Sequence, residues 1–531
     1  MRLTKYVFIL MYSFSLFSGW IIFSRKYDFV IKNGLIIDGS GNPWFMGDVG
    51  IIDKEIKKVG VISEKKAKKI IDAKNLIVCP GFIDIHTHAD RGILEVPTAY
   101  NYVLQGVTSV IGGNCGGSVF PLKEFFKKIK NTGISLNFGS LVGHNTIRKE
   151  VMGLKMADPT EEEMNKMMEL LEKEMKSGAL GLSTGLAYMP GVYSKTEELV
   201  KLGMVVAKHN GIYASHIRNQ GKYIEQAIEE AILIGEKNKI PVEISHVKLA
   251  DEVVWGEIDK ILKPILNARR RGIEVTTDQY PYTATSSGFS SSFPSWALEG
   301  GREKFIERIK DNENYKRIRD TIINNRLTSQ RGINKLQGIY IVSYPYDRAF
   351  EGRNLEEILD MIGKKPTIEN AADLIIEIEK NGGAQAIFFQ MDEKDVEEIM
   401  KLPFNMIGSD GGVIKYGEGF PHPRSYGTFP RILSKYVREK NMIELEDAIR
   451  KMTSLPAQTL RLEKRGMIKE GYFADIVIFD PERIKDRADF SSPHRYPEGI
   501  KYVFVNGEIV AENGNHTRKF PGMILYGKKA D

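Results

Sequence analysis

Cysteine is almost missing from this chain, at 2 of 531 residues. Two cysteines cannot build a disulfide framework, and they cannot complete an all-Cys zinc site. Charge of one sign is lacking as well. Lys plus Arg is 75 and Asp plus Glu is 69, which leaves +6 over the whole length. That balance, with no basic–aromatic binding motif, gives nucleic acid no foothold as a partner. There is no internal repeat and no low-complexity tract. The hydrophobic share of 42% suffices for a large core and excludes global disorder, and the length exceeds one small module.

Long apolar runs are confined to one place. Tyr6–Phe23 carries no charge, with Arg2 and Lys5 before it and Arg25 and Lys26 after it. A basic start followed by an apolar run reads as a signal peptide or a membrane anchor, so export or membrane contact through residues 6–23 is expected. A start codon assigned too far upstream would leave the protein cytoplasmic.

The folded sequence starts with β patterning. Tyr27–Asp38 has two apolar runs broken at Asn33-Gly34, a dipeptide typical of a two-residue hairpin. Gly50–Val61 and Lys69–Val78 add short alternating segments. After Pro80-Gly81, apolar runs of strand length alternate with amphipathic helical stretches. The strands include Thr108–Ile111, Leu136–Leu141, Ala179–Ser183, Ile212–His216, Val242–His246, Ile273–Asp278 and Phe404–Ile407. The helices include Thr160–Lys176, Ile224–Lys237 and Ile258–Arg271. Short buried strands alternating with helices predict an α/β protein with a parallel sheet, and this many units favour a closed (β/α)8 barrel. The rhythm breaks at about 283–340, which reads as a lid-like insertion. The last stretch returns to β. The expected division is a leader at 1–26, a β part over 27–80, the barrel over 81–460 and a second β part over 461–531. The two β parts pair into one small sandwich beside the barrel.

The chemistry-bearing residues fall where strands should end. In Pro80–Asp90, a short apolar strand ends in His86-Thr87-His88. Residues i and i+2 on a strand share a side, so both imidazoles can reach one metal. Cys115, His216, His246 and Asp410 each close or follow a later apolar run. Each alone is a weak signal. Together they gather imidazoles, one thiolate and one carboxylate at the C-terminal strand ends, the face that carries barrel active sites. Soft sulfur and nitrogen donors suit Zn²⁺.

The sequence resembles the amidohydrolase superfamily and, within it, the D-aminoacylase (N-acyl-D-amino-acid deacylase) family. The likeness rests on Gly81-Phe-Ile-Asp-Ile-His-Thr-His-Ala-Asp, Gly113-Asn-Cys-Gly and Gly181-Leu-Ser-Thr-Gly-Leu-Ala-Tyr-Met-Pro-Gly. It continues through His216-Ile-Arg, Ile244-Ser-His-Val-Lys, Asp278-Gln-Tyr-Pro-Tyr and Glu351-Gly-Arg-Asn-Leu. Gly408-Ser-Asp-Gly, His422-Pro-Arg-Ser-Tyr-Gly-Thr-Phe-Pro-Arg, Met452-Thr-Ser-Leu-Pro-Ala and Gly471-Tyr-Phe-Ala-Asp-Ile-Val complete it. The resemblance implies that Cys115, His216 and His246 hold one zinc tightly. His86 and His88 then contribute to a second, weaker site that Asp410 also contacts. It implies that Asp410 takes the proton of the attacking water and delivers it to the leaving amine. Lys248, Tyr282 and Arg424 would line the pocket for the substrate α-carboxylate, and Tyr188 would sit near the metal. Many relatives bridge two metals with a carboxylated lysine. The corresponding strand here, Ala179-Leu-Gly-Leu-Ser-Thr-Gly-Leu, has no Lys, and Cys115 takes over part of that role. One departure is visible: Asn219-Gln220-Gly221 follows His216-Ile-Arg, where the family usually has an acidic residue nearby.

The implied activity is zinc-dependent hydrolysis of N-acyl-D-amino acids, small-molecule substrates, to a carboxylate and a free D-amino acid. The alternatives are a cyclic-amide hydrolase of the hydantoinase or dihydropyrimidinase kind, a dipeptidase acting on D-residues, and a non-catalytic membrane-associated protein that keeps the fold. Of the remaining histidines, His422 belongs to the carboxylate-binding block and His144 is placed near the site. Cys79 reads as buried strand packing.

Overall fold

The computed structural model describes residues 26–327 and 335–528. Tyr6–Phe23 lies outside them. Among the described residues no helix is long and apolar enough to cross a membrane.

The first strands are β1 (Tyr27–Ile36), β2 (Phe45–Ile52), β3 (Glu55–Gly60), β4 (Ala67–Asp72) and β5 (Ile77–Pro80). The expected hairpin at Asn33-Gly34 does not form. Instead β1 runs on through a register shift between Ile31 and Gly34. Asn33 adopts φ 60°, a conformation asparagine tolerates better than most residues. Asp48 Oδ1 accepts its N–H at 3.1 Å, and its side-chain amide donates to Asp72 at 3.0 Å. With both groups satisfied locally, the dipeptide makes a bulge and not a turn. Past the bulge β1 changes its parallel neighbour from β4 to β5.

The barrel strands are β6 (Phe82–Asp84), β7 (Val107–Gly112), β8 (Asn137–Ser140), β9 (Val142–Gly143), β10 (Gly181–Gly185), β11 (Ile212–His216), β12 (Val242–Ile244) and β13 (Val275–Gln279). The insertion contributes β14 (Ala284–Gly288), β15 (Ile339–Ser343) and β16 (Gln385–Phe389), and β17 (Asn405–Ile407) is the last barrel strand. Two parallel runs appear, β6-β7-β8 and β9-β10-β11-β12-β13-β17. They are one circle. β8 and β9 are a single strand interrupted at Leu141, whose N–H still bonds Gly112 at 3.0 Å. The other seam is closed by a parallel bridge between Thr87 and Gly411 and by Asp410 N–H donating to the His86 carbonyl at 2.8 Å. The closed parallel barrel matches the expectation.

Helix Glu161–Lys176 shows how the outer layer is specified. Thr160 caps it in a capping box with Glu163, three glutamates lie in its first turn and Lys173 and Lys176 in its last. Met164, Met167, Leu171 and Met175, spaced by three and four, are its buried stripe. Leu171→Ala would cost about 2–5 kcal/mol through the cavity it leaves.

The insertion is longer than the expected 283–340. It has its own core, from Phe289 to Phe388. Its neck closes where Met391 N–H donates to the Thr283 carbonyl at 3.1 Å. β14, β16 and β15 form an antiparallel sheet with β16 central. Helices such as Asn312–Ile322 and Ile368–Lys380 complete it. Apolar strand and helix patterning inside an excursion looks like a continuation of the barrel, which is why the sequence rhythm hid its full extent.

The final strands are β18 (Ile476–Phe479), β19 (Ile500–Val505), β20 (Glu508–Glu512) and β21 (Asn515–His516). They join the first five in one nine-stranded sheet through antiparallel pairing of β18 with β5. The unbroken apolar run of β18 follows from burial of both faces. Ile476 and Ile478 point into the sheet's own core, while Val477 and Phe479 pack in the core shared with the barrel.

Candidate metal centre

Parallel strands bring the chemistry to one rim. His216 is the last residue of β11, and His246, Cys115 and Asp410 lie just past β12, β7 and β17. His86 and His88 follow β6. Two donor groups result, and they overlap at one sulfur. His86, His88, Cys115 and Asp410 place one ligand atom each within 4.8 Å of one another, and so do Cys115, His216 and His246. Cys115 Sγ lies 3.3 Å from His86 Nε2, 3.3 Å from His246 Nε2 and 3.7 Å from His216 Nδ1. His216 Nδ1 and His246 Nε2 approach to 2.8 Å. Asp410 Oδ1 stands 3.1 Å from His88 Nε2 and 3.6 Å from His86 Nε2.

The backbone is bent to achieve this. Cys115, His246 and Asp410 have φ of 53°, 36° and 51°, in the left-handed region that residues with a Cβ avoid. Each costs on the order of 1–3 kcal/mol, and such strain concentrates where geometry serves chemistry.

Outer partners hold the rings. His86 Nδ1 meets Asp278 Oδ2 at 3.1 Å, with both side chains fully buried, which leaves Nε2 facing the sulfur. Behind Asp278 is Glu243, whose carboxyl burial and the Asp278 carboxylate push well above the usual range. Gln220 and Lys248 each approach His246 Nδ1 to 3.1 Å. The Asn219-Gln220-Gly221 departure therefore sits directly behind a proposed ligand, with Gln220 also accepting from Lys248 at 3.0 Å.

Electrostatics favour ionised ligands. Burial opposes ionisation of Cys115, but the His86 and His246 imidazoles outweigh it and hold the thiol well below its ordinary value. For Asp410, burial is again overcome, here by Arg424 and by the hydrogen bond to His88, and the carboxylate is held well below its usual range. One thiolate, four imidazoles and a carboxylate converging at this spacing fit zinc in donor type.

Arg424 is buried, its Nη1 2.8 Å from Asp410 Oδ2 and its guanidinium 4.9 Å above the Tyr280 ring. Lys248 and Tyr188 line the rim, and the Tyr188 and His216 ring centroids are 4.5 Å apart. Tyr282 is a correction. Its hydroxyl donates to the Pro423 carbonyl at 3.4 Å, its ring packs edge-on against His422, and it lines neither large cavity at the rim. Tyr280 lines the site instead. Both belong to the quoted Asp278-Gln-Tyr-Pro-Tyr block, but β13 ends at Gln279, so strand alternation does not carry past it. His144 is not at the site; its Nε2 meets Glu198 at 2.7 Å in a buried network with Arg148. Two cavities, about 710 and 640 Å³, open on this rim and share His246, Tyr188 and Asp410.

A closed (β/α)8 barrel whose C-terminal strand ends gather histidines, a cysteine and an aspartate is the architecture of an amidohydrolase. The sequence model of the amidohydrolase family matches residues 69–257 and 349–511. A D-aminoacylase of Alcaligenes xylosoxydans xylosoxydans is 33% identical, over 94% of this chain and 98% of its own. An N-acyl-D-aspartate deacylase from the same organism is also 33% identical, over 94% and 95%. The solved N-acyl-D-glutamate deacylase of Bordetella bronchiseptica, complexed with zinc and a phosphonate inhibitor, superposes with a TM-score of 0.80 at 32% identity, over 94% and 100%. The chain belongs to the amidohydrolase family and, within it, to the D-aminoacylase family.

Proposed function

We propose that this protein hydrolyses the amide bond of N-acyl-D-amino acids, releasing a carboxylate and a free D-amino acid, with zinc as cofactor. The observation that carries this reading is the single sulfur of Cys115 shared by two donor groups, one of them containing Asp410. Cys115, His216 and His246 would hold the tighter zinc, and His86, His88 and Asp410 would complete the second position. Bound there, zinc supplies Lewis acidity and a water that ionises near neutral pH.

The chain's own groups do the rest. Asp410, ionised at neutral pH, accepts the proton of the attacking water and returns it to the leaving nitrogen. Arg424 offers a planar fork and Lys248 a point charge to the α-carboxylate, and this fixes which face of the amide meets Asp410. Tyr280 packs beneath both cations, 4.9 and 5.5 Å from its ring. Tyr188 closes the side next to His216. The strand that would carry a bridging lysine in other amidohydrolases, β10, reads Gly-Leu-Ser-Thr-Gly, which supports the linear-amide reading over a hydantoinase.

The test is turnover of N-acetyl-D- against N-acetyl-L-amino acids by the zinc-loaded protein. Release of free amine from D-substrates only is the expected result. No turnover across a D-panel sinks the proposal, and ring-opening of hydantoins without deacylation selects the cyclic-amide reading.

A further inference from the structure

The 640 Å³ cavity beside the metal centre holds an unusual cation. One wall carries His216, His246, Asp410 and Lys248; the insertion supplies the other, including Arg326. Two further cations there are neutralised. Arg218 pairs with Glu230 at 2.9 Å, and Lys335 faces Glu252 at 3.9 Å. Arg326 has no carboxylate within ion-pair distance among the described residues. Its Nη1 donates to Gln390 Oε1 and its Nη2 to Ser291 Oγ, both at 3.0 Å, and the guanidinium stacks 4.9 Å from the Phe388 ring. All three partners are neutral. Two of its five N–H donors are used, and the rest are available to a ligand.

The segment that presents Arg326 is also irregular. The helix Asn312–Ile322 continues as a π-helical turn, Ile323–Leu327, and Arg326 is part of that turn. Such turns are rare and recur at functional sites. Burial depresses the Arg326 guanidinium below its ordinary value, so its positive charge is held at a cost with no acid to offset it.

An N-acyl-D-amino acid brings one carboxylate, and the Arg424–Lys248 side of the site accounts for it. A second cation on the facing wall, fixed by neutral partners, calls for a second carboxylate. With a neutral substrate the guanidinium would be closed in without a counter-charge, which is unfavourable. Resting on the deacylase reading above, we infer that the substrate's D-side chain is itself acidic, N-acyl-D-aspartate or N-acyl-D-glutamate, and that Arg326 binds its carboxylate. Arg326 is thus a specificity residue.

The test measures kcat/KM of the full-length, zinc-loaded protein for N-acetyl-D-glutamate, N-acetyl-D-aspartate, N-acetyl-D-leucine and N-acetyl-D-methionine. The wild type should favour at least one acidic substrate over both neutral ones by about tenfold or more. Arg326→Gln should lower that acidic-to-neutral ratio by about tenfold or more, and Arg326→Lys should retain part of it. A neutral preference in the wild type, or the same ratio in Arg326→Gln, overturns the inference. Should Arg326→Gln fail to fold, judged by zinc content and melting, the wild-type ratio and Arg326→Lys decide. Turnover of neutral D-substrates alone defeats this inference and leaves the deacylase reading standing, whereas no turnover of any D-substrate defeats both. The glutamate and aspartate arms separate the two acidic side chains.

Discussion

Arg424 Nη1 and Asp410 Oδ2 meet at 2.8 Å in a buried pair, yet the contact is not aligned as a hydrogen bond, and among the described residues Nη1 has no other partner. The arginine therefore fixes the charge of Asp410. On the other side the same carboxylate faces His88 and His86. Asp410 stands between a group suited to hold the substrate and groups suited to hold the metal.

That position makes Asp410→Asn a clean probe. The amide keeps shape but cannot take a proton. We expect kcat to fall by about 10²–10⁴-fold, with zinc retained through Cys115, His216 and His246, as measured by steady-state kinetics and metal analysis on one sample. Activity within tenfold of wild type would remove Asp410 from the proton-transfer role.

Cys115→Ser should damage metal binding more than His88→Ala does, because only Cys115 belongs to both donor groups. The loss in zinc affinity should exceed the roughly 10–100-fold typical of losing an outer partner of a ligand. Competition against a chromophoric chelator measures both variants. Equal loss in the two would show that the sulfur is not shared.

A third expectation concerns stability. Lys451 is fully buried, its ammonium donating to the Leu402 and Asn405 carbonyls. Burial pushes it from 10.5 down to about 8. The unfolded chain therefore binds more protons than the folded one between about pH 8 and 10.5, so stability rises with pH across that window. Lys451→Met cannot titrate there. Denaturant unfolding at pH 7 and pH 9.5 should show wild type gaining relative to Lys451→Met at the higher pH. A difference that does not move with pH would mean that Lys451 is not destabilised as the charged form.

The parts of the site that follow strand periodicity were legible in the sequence. His86-Thr-His88 announces itself by the i, i+2 rule, and His216 and His246 by closing apolar runs. Residues placed by irregular backbone were not. The exchange of Tyr282 for Tyr280 arises beyond the end of β13, where alternation no longer applies. The left-handed turns at Cys115, His246 and Asp410 have no signature, because none is glycine or asparagine. Arg326 falls within the lid-like insertion expected at about 283–340, but nothing in its local sequence sets it apart from the other charged residues there, and only the folded insertion brings it to the cavity. Asn33-Gly34 had the right composition for a hairpin, but Asp48 and Asp72 supply partners that local sequence does not contain.

The pairing of Pro80 with Ile476 in the nine-stranded sheet also sets an order of events during synthesis. When the ribosome has made the first five strands and the whole barrel, β5 still lacks the neighbour that β18 provides. An apolar strand edge is then open to wrong partners. Translation must run almost to the end before that edge is covered. For this chain the last strands close the fold, so a stop codon shortly before Ile476 would leave a complete set of proposed zinc ligands on a polypeptide prone to aggregate.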